Sequence, residues 1–164
     1  MPNSHMPFHW HRFDKDQLLC VKILDVLGCL WSGGLEIQKN YSTHVNVRDL
    51  NYRMFFLRLE VVLQDATYFI VFTDADTMPP PMRVDNFSEV PVKFAQIGND
   101  LPSSTARAHS SVPYAWDVLT EKKQLKIEAP GGVTQSYDMN TLGIMPGLTY
   151  ENFIYIVFTG TFKK

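Results

Sequence analysis

Apolar residues recur along this chain at a period of two, in short runs separated by turn signals. No window keeps a helical apolar period over three turns. In 43–48 (THVNVR), Val45 and Val47 fall on one side and His44 and Asn46 on the other. In 54–63 (MFFLRLEVVL), Phe56, Arg58 and Glu60 share one side, while Phe55, Leu57, Leu59 and Val61 share the opposite one. The β-branched end of that run and the following 67–73 (TYFIVFT) favour a hairpin over a helix, with Asp65-Ala66 as its turn. Further strands are expected at 18–25 (LLCVKILD) and 30–38, with Gly33-Gly34 as a bulge or tight bend. A hairpin is expected from 82–86 and 90–97 around 87–89. The stretch 106–114 reads as extended and is kept at a sheet edge by Pro113. The run 124–128 (QLKIE) is answered by 133–138 across Pro130-Gly131-Gly132. The run 152–162 (NFIYIVFTGTF) is apolar on both faces, which suits the middle of a sandwich. The pattern predicts an all-β fold.

One segment interrupts it. In 74–82 (DADTMPPPM), three consecutive prolines cannot occupy a sheet interior and favour an extended polyproline conformation. This stretch reads as a rigid connector between two sheets.

The chain also repeats itself. Residues 4–10 read SHMPFHW and residues 110–116 read SSVPYAW, an offset of 106 that matches Ser, Pro and Trp. The same offset pairs Leu19 with Leu125, Val21 with Ile127 and Trp31 with Tyr137. A unit of that size made of short strands suits one β-sandwich-like repeat module. On this reading, residues 1–38 are the back half of a preceding module and 39–164 are one complete module, so the sequence is a piece of a longer array.

Composition narrows the function. The 164 residues are 45% hydrophobic and 20% charged, enough to build a core without disulfides or metals. The formal charge of -2 leaves no basic excess for nucleic acid or for anionic lipid headgroups. No apolar run approaches the roughly 20 residues of a helical membrane span, and the N-terminus lacks a signal-peptide core, so no direct membrane insertion is expected. Cys20 and Cys29 read as buried thiols of a reducing compartment rather than a disulfide. Aromatic residues reach 13%, which adds to the β reading.

Signatures of catalysis are missing from the sequence: it has no G-x-S-x-G elbow, H-E-x-x-H, phosphate loop or G-x-G-x-x-G. No enzyme activity, metal or cofactor is expected. His5, His9 and His11 could share a metal only with help from elsewhere, and read as surface histidines. Asp74-x-Asp76 beside the prolines reads as a solvated turn. Trp116 and Asp117 could form a carbohydrate platform. The equivalent place of Trp10 in the repeat favours a structural role for Pro113, Tyr114 and Trp116. Asn86 ends the strand MRVDN at a corner. There an Asn can bond neighbouring backbone and tolerate positive φ, either as an ordinary turn residue or as a pin that shapes a binding edge.

The stretches SSVPYAWD (110–117), RVDNFSEVPVKF (83–94) and YENFIYIVFTGTF (150–162) together resemble the adaptor-binding region of the vacuolar protein sorting-associated protein 13 family, which are bridge-like lipid transfer proteins. The resemblance covers essentially the whole chain. DVLTEKKQ (117–124) departs from the Asp-Glu-Pro often seen after the Trp, which suggests a divergent paralogue, the D-type linked to mitochondria. The resemblance implies a receptor on the cytoplasmic face of organelle contact sites, binding adaptor proteins that carry Pro-x-Pro segments. It also implies a functional role for Asn86, which matches an Asn in the family's strand-end motif. A Pro-x-Pro segment suits strand addition: both prolines face away from the receiving edge and the middle residue pairs with it. The aromatic hairpin 54–73, with Phe55, Phe56, Tyr68 and Phe69, is the candidate receiver. Its competitors are a glycan- or lipid-headgroup-binding sandwich, a purely structural spacer, and a reading of Pro79-Pro80-Pro81 as ligand for another domain.

Overall fold

The computed structural model describes residues 4–75 and 78–149, together with the backbone of 156–160. Its strands are β1 (Leu18–Leu19), β2 (Leu35–Glu36), β3 (Tyr41–Arg48), β4 (Met54–Gln64), β5 (Thr67–Asp74), β6 (Met82–Asn86), β7 (Val92–Gln96), β8 (Ser104–Ala106), β9 (Ser110–Tyr114), β10 (Gln124–Glu128), β11 (Thr134–Asp138) and β12 (Ile156–Gly160). One 3-10 turn, Pro130–Gly132, is the sole helical element among the described residues. The fold is all-β.

All pairings are antiparallel. The long hairpin β4–β5 forms as the alternation requires, closing at Gln64↔Thr67 with Asp65 at φ 52 in the left-handed region that Asp tolerates. β3 adds to its other side, giving the order β3-β4-β5. The other sheets are β8-β7-β10-β11, β9-β6-β12 and the short pair β1-β2.

The strands depart from the sequence reading in two places. The runs 82–86 and 90–97 do not form a hairpin: β6 pairs with β9 and β12, whereas β7 pairs with β8 and β10. The chain between them turns a corner from one sheet to the other. The runs 18–25 and 30–38 pair over only two residues each. Close approach explains this: a Cβ on Gly33 would lie 2.7 Å from the Asp117 carbonyl oxygen, and one on Gly34 would lie 2.8 Å from Leu18 Cδ1. At the next contact Ser32 N donates to the Val21 carbonyl at 2.8 Å, while the Ser32 hydroxyl accepts from Val21 N at 3.0 Å in place of the second main-chain bond. Finally, among the described residues β12 has β6 as its one strand neighbour; residues 150–155 and 161–164 of that run lie outside the described residues.

Two cores result. In the first, Val84, Val92, Phe94, Tyr114, Leu125, Ile127 and Tyr137 fill the space between the β8-β7-β10-β11 and β9-β6-β12 sheets. In the second, Val45, Val47, Leu59 and Val61 of β3 and β4 are covered by Cys29 and Leu35, with Leu19, Val21, Ile23 and Val26 around them. The N-terminal segment is thus the second layer of the β3-β4-β5 sheet.

A buried ion pair joins the cores. Arg48, at the end of β3, donates from Nε to Asp117 Oδ1 at 2.6 Å and from Nη2 to Oδ2 at 3.0 Å. The two side chains are only 3% and 2% exposed. Asn46 Nδ2 adds a bond to the same carboxylate at 2.8 Å, and Arg48 Nη1 reaches the Tyr52 carbonyl and Ser104 Oγ. Asn46 was expected to share a polar outer face with His44; it is buried because Asp117 meets it there. Removing one partner of such a pair strands a charge in low dielectric, at a cost of about 3–5 kcal/mol. Asp117→Ala is therefore expected to lower stability by about that amount in urea unfolding, and Arg48→Met combined with Asp117→Leu to lower it much less.

Candidate functional site

Asn86 closes β6, opposite Ser110 of β9 and Ile156 of β12. It is 1% exposed, unlike an ordinary surface-turn Asn. Its Nδ2 donates to three carbonyls: Val90 at 2.8 Å, Arg107 at 2.9 Å and Ala106 at 3.1 Å. An amide carries two hydrogens, so one of these bonds is shared. Its Oδ1 accepts from Ser88 N at 3.0 Å and from Ser88 Oγ at 2.7 Å. One side chain thus ties the β6–β7 corner to the β8–β9 turn. The backbone bond from His109 N to the Ser88 carbonyl (3.3 Å) links the same two loops, with His109 at φ 50.

The preceding residue is also anchored. Asp85, 2% exposed, receives Arg83 Nε at 2.7 Å and Ser111 Oγ at 2.5 Å. The bond from Arg83, against the opposing effect of burial and with help from Ser111, holds its carboxyl below the usual carboxylate range.

The aromatic hairpin is divided between two places. Phe55 and Phe56, at the start of β4, are half-buried and line a groove of about 660 Å³ together with Ile23, Val26, Phe72, Pro79 and Pro80. Arg53 lies 6.0 Å from the Phe55 ring centroid. Tyr68 and Phe69 lie near the hairpin tip, 39% and 48% exposed, and the Tyr68 hydroxyl donates to the Gln38 carbonyl at 2.7 Å. Val71 is exposed as well. Among the described residues β5 pairs with β4 alone, so no neighbouring strand covers its outer edge over 67–73. Asn86 is not in this cluster: it belongs to another sheet and borders the first core rather than the second.

The motif Pro113, Tyr114, Trp116 lies between the cores. Pro113 sits opposite Arg83 on β9, an outer strand where its missing N–H costs no ladder bond. Tyr114 is fully buried and packs edge-on against Phe94 and Trp116, with centroids 5.5 and 5.6 Å away. Burial, with the nearby Asp117 charge, pushes its hydroxyl far above the usual tyrosine range, so it stays protonated as a donor toward Asp117. The Trp116 carbonyl accepts from Asn46 N at 3.2 Å, and Lys123 lies 5.3 Å from its ring centroid.

Sequence comparisons place most of the chain in one family. The profile described as "Vacuolar-sorting associated protein 13, adaptor binding domain" matches residues 1–123. The chain belongs to that family. It is 46% identical to human "Intermembrane lipid transfer protein VPS13D" and 43% identical to the Drosophila melanogaster protein of the same description, each across 99% of its length. It is 30% identical over 77% of its length to Dictyostelium discoideum vps13D. The D-type branch is thereby supported. The chain spans about 4% of the length of the human and fly proteins.

Within this VPS13-type adaptor-binding domain, the remaining candidates separate. His5, His9 and His11 are exposed, and Phe8 packs edge-on against Trp10 at 4.9 Å. Cys29 is buried, with its Sγ 3.3 Å from Ile23 N, whereas Cys20 is exposed, contrary to the expectation of two buried thiols. Asp74 is exposed; Asp76 lies outside the described residues. Among the described residues, no three His, Cys, Asp or Glu side chains are placed to hold a metal. Sequence reasoning missed Arg48, Asn46 and Ser88. Ser88 was legible as a neighbour two residues after Asn86; the Arg48–Asp117 pair spans 69 residues and leaves no local signal.

Two outcomes follow. Asn86→Ser removes the amide donor and leaves buried carbonyls unpaired, a loss of about 1–3 kcal/mol read by denaturant titration, with the fold retained in circular dichroism. For Asp85, whose folded carboxyl is depressed, the stabilisation is complete above the ordinary Asp value near 4. It is lost as pH falls through the lower folded value. Asp85→Asn is expected to flatten that part of the stability–pH curve below about pH 4.

Proposed function

We propose that this chain docks adaptor proteins for an intermembrane lipid transfer protein, receiving their Pro-x-Pro segments by strand addition to the β4–β5 hairpin. Membership of an adaptor-binding domain family makes the role one of binding to adaptors in a lipid transfer protein. The finer reading rests on one observation: β4–β5 is a long aromatic hairpin with open edge. β5 carries no proline and no charge before Asp74, and Tyr68, Phe69 and Val71 remain exposed along it. Proteins ordinarily blunt such an edge with charge, proline or a cover. Here a bound segment would be the cover. Main-chain bonds supply affinity, the aromatic side chains supply pockets, and a strand with proline at alternate positions cannot recruit a further strand.

On this reading, Phe55, Phe56, Tyr68 and Phe69 line or border the receiving surface. Asn86 acts at a distance by fixing the corner of β6, the strand into which the connector from β5 leads. Residues 1–38 are taken as the end of one module and 39–164 as the next. The docked adaptors would sit on organelle membranes at contact sites, mitochondria among them.

Titration of Pro-x-Pro peptides against this chain is expected to give saturable binding, with none for scrambled controls. Asn86→Ser should weaken binding by about tenfold, the factor that 1.4 kcal/mol represents, while the protein stays folded. Binding of glycans or liposomes in place of peptide would favour the competing sandwich, and the absence of any saturable peptide binding would favour a spacer.

A further inference from the structure

Two hydrogen bonds fix which main-chain groups of the hairpin face which way. Leu63 N donates to Asn40 Oδ1 at 2.8 Å, on the β3 side of β4. Asn46, which lies opposite Phe56, donates its N–H away from β4 to the Trp116 carbonyl at 3.2 Å. In a strand the N–H and C=O of one residue share a side, and successive residues alternate. Both bonds give the same phase: the odd-numbered residues of β4 face β3, and the even-numbered ones face β5. Across the hairpin, Val62 pairs with Phe69 and Glu60 with Val71. Phe69 and Val71 therefore direct their main-chain groups to β4. Those of Tyr68, Ile70 and Phe72 point to the outer edge, where no described strand pairs with them.

Side chains follow the same alternation. Ile70 and Phe72 turn toward the second core, beside Val61 and Leu59. Phe69 and Val71 turn to the opposite face and stay 48% and 43% exposed. On that face they are flanked by Thr67 and Thr73. An added antiparallel strand thus meets two kinds of position. Opposite Tyr68, Ile70 or Phe72, its residue must donate and accept main-chain bonds. Opposite Phe69 or Val71, its main-chain groups point away from β5, and proline loses no bond there. Directly opposed residues share a face, with Cβ atoms about 4.5–5.5 Å apart. A proline at such a position lays its ring against an exposed apolar side chain.

We propose that the middle residue of a Pro-x-Pro segment pairs antiparallel with Ile70, its first proline opposite Val71 and its second opposite Phe69. This deepens the docking function proposed above and rests on it for the identity of the ligand. A shift of two residues sets one proline against Thr67 or Thr73 and loses an apolar contact. A shift of one residue sets both prolines where a donor is needed. The middle side chain then falls on the core face, beside Ile70 and diagonal to Tyr68 and Phe72, within reach of both aromatic rings. Tyr68 is held there by its hydroxyl bond to the Gln38 carbonyl. The site accordingly prefers an apolar, β-branched middle residue.

A peptide with one Pro-Val-Pro core and no other proline reads the register. Hydrogen exchange uses the wild-type chain. At a peptide concentration ten times Kd, exchange at the amides of Tyr68, Ile70 and Phe72 should slow by about tenfold. Exchange at Phe69 and Val71, already bonded to β4, should not change. Cross-linking reads the direction. With the exposed Cys20 replaced by Ser, Val71→Cys should form a disulfide with a peptide carrying cysteine for its first proline. Phe69→Cys should do so with cysteine for the second proline. Phe69→Ala and Val71→Ala should each weaken binding by up to about fivefold, the factor of one cross-strand pair. Thr67→Ala and Thr73→Ala should leave it unchanged. Cross-links in the reversed combinations, or at Thr67→Cys or Thr73→Cys in their place, overturn the register and leave the hairpin as receiver. Saturable binding with no change at any β5 amide overturns the register and moves docking away from this edge. If no Pro-x-Pro peptide binds, the docking function fails and the register falls with it.

Discussion

The joint between the two cores depends on one buried carboxylate. Asp117 receives two bonds from the Arg48 guanidinium and one from Asn46, with the Tyr114 hydroxyl 3.4 Å away. A charge at this depth would be costly if left alone, so its partners are obligatory. Arg48 and Asn46 come from β3 of the second core, while Tyr114 and Asp117 follow from β9 of the first. Neither half can satisfy the group by itself. Gly33 makes the same joint from the N-terminal segment, since any side chain there would meet the Asp117 backbone. The cores are thus tied by polar geometry as well as by apolar contact. The cost of that solution is visible in Asn46 Oδ1, which is buried without a hydrogen-bond partner.

Asn86 solves a related problem at the other end of the first core. A chain that leaves one sheet and enters the facing one exposes main-chain groups in the corner, and those groups need partners. Three carbonyls and one N–H find them in a single amide side chain. A residue of this kind is structural in its contacts, and it can be functional in its consequences because it fixes where two loops stand. The open edge of β4–β5 lies in the other sheet, joined to β6 by the proline-bearing connector. Shape set at Asn86 and the connector's path meet in the same short stretch of chain.

Much of this architecture was legible in the sequence. Alternation placed β3, β4, β5, β10 and β11 within a residue or two, because a strand with one buried face must repeat every second position. The turns at Asp65 and at Gly131-Gly132 were legible because left-handed backbone is open to few residue types. Pro113 signalled an outer strand because it lacks a donor. The family was legible from three short stretches together.

What tertiary structure alone decided is which strands are neighbours and which polar residues are interior. The separation of β6 from β7 could not be read from two alternating runs and a short turn, since a hairpin and a corner between sheets share that pattern. The segment 18–37 carries strand-like residues but is held by side-chain bonds and glycine contacts, so it folds as a cover and not as a ladder. Alternation likewise assigned Asn46 to a polar face, and that face is buried there because Asp117, 71 residues away, supplies its partner. Local pattern reports the period of burial along a strand. The other side of a contact is set by long-range packing, which no stretch of sequence contains.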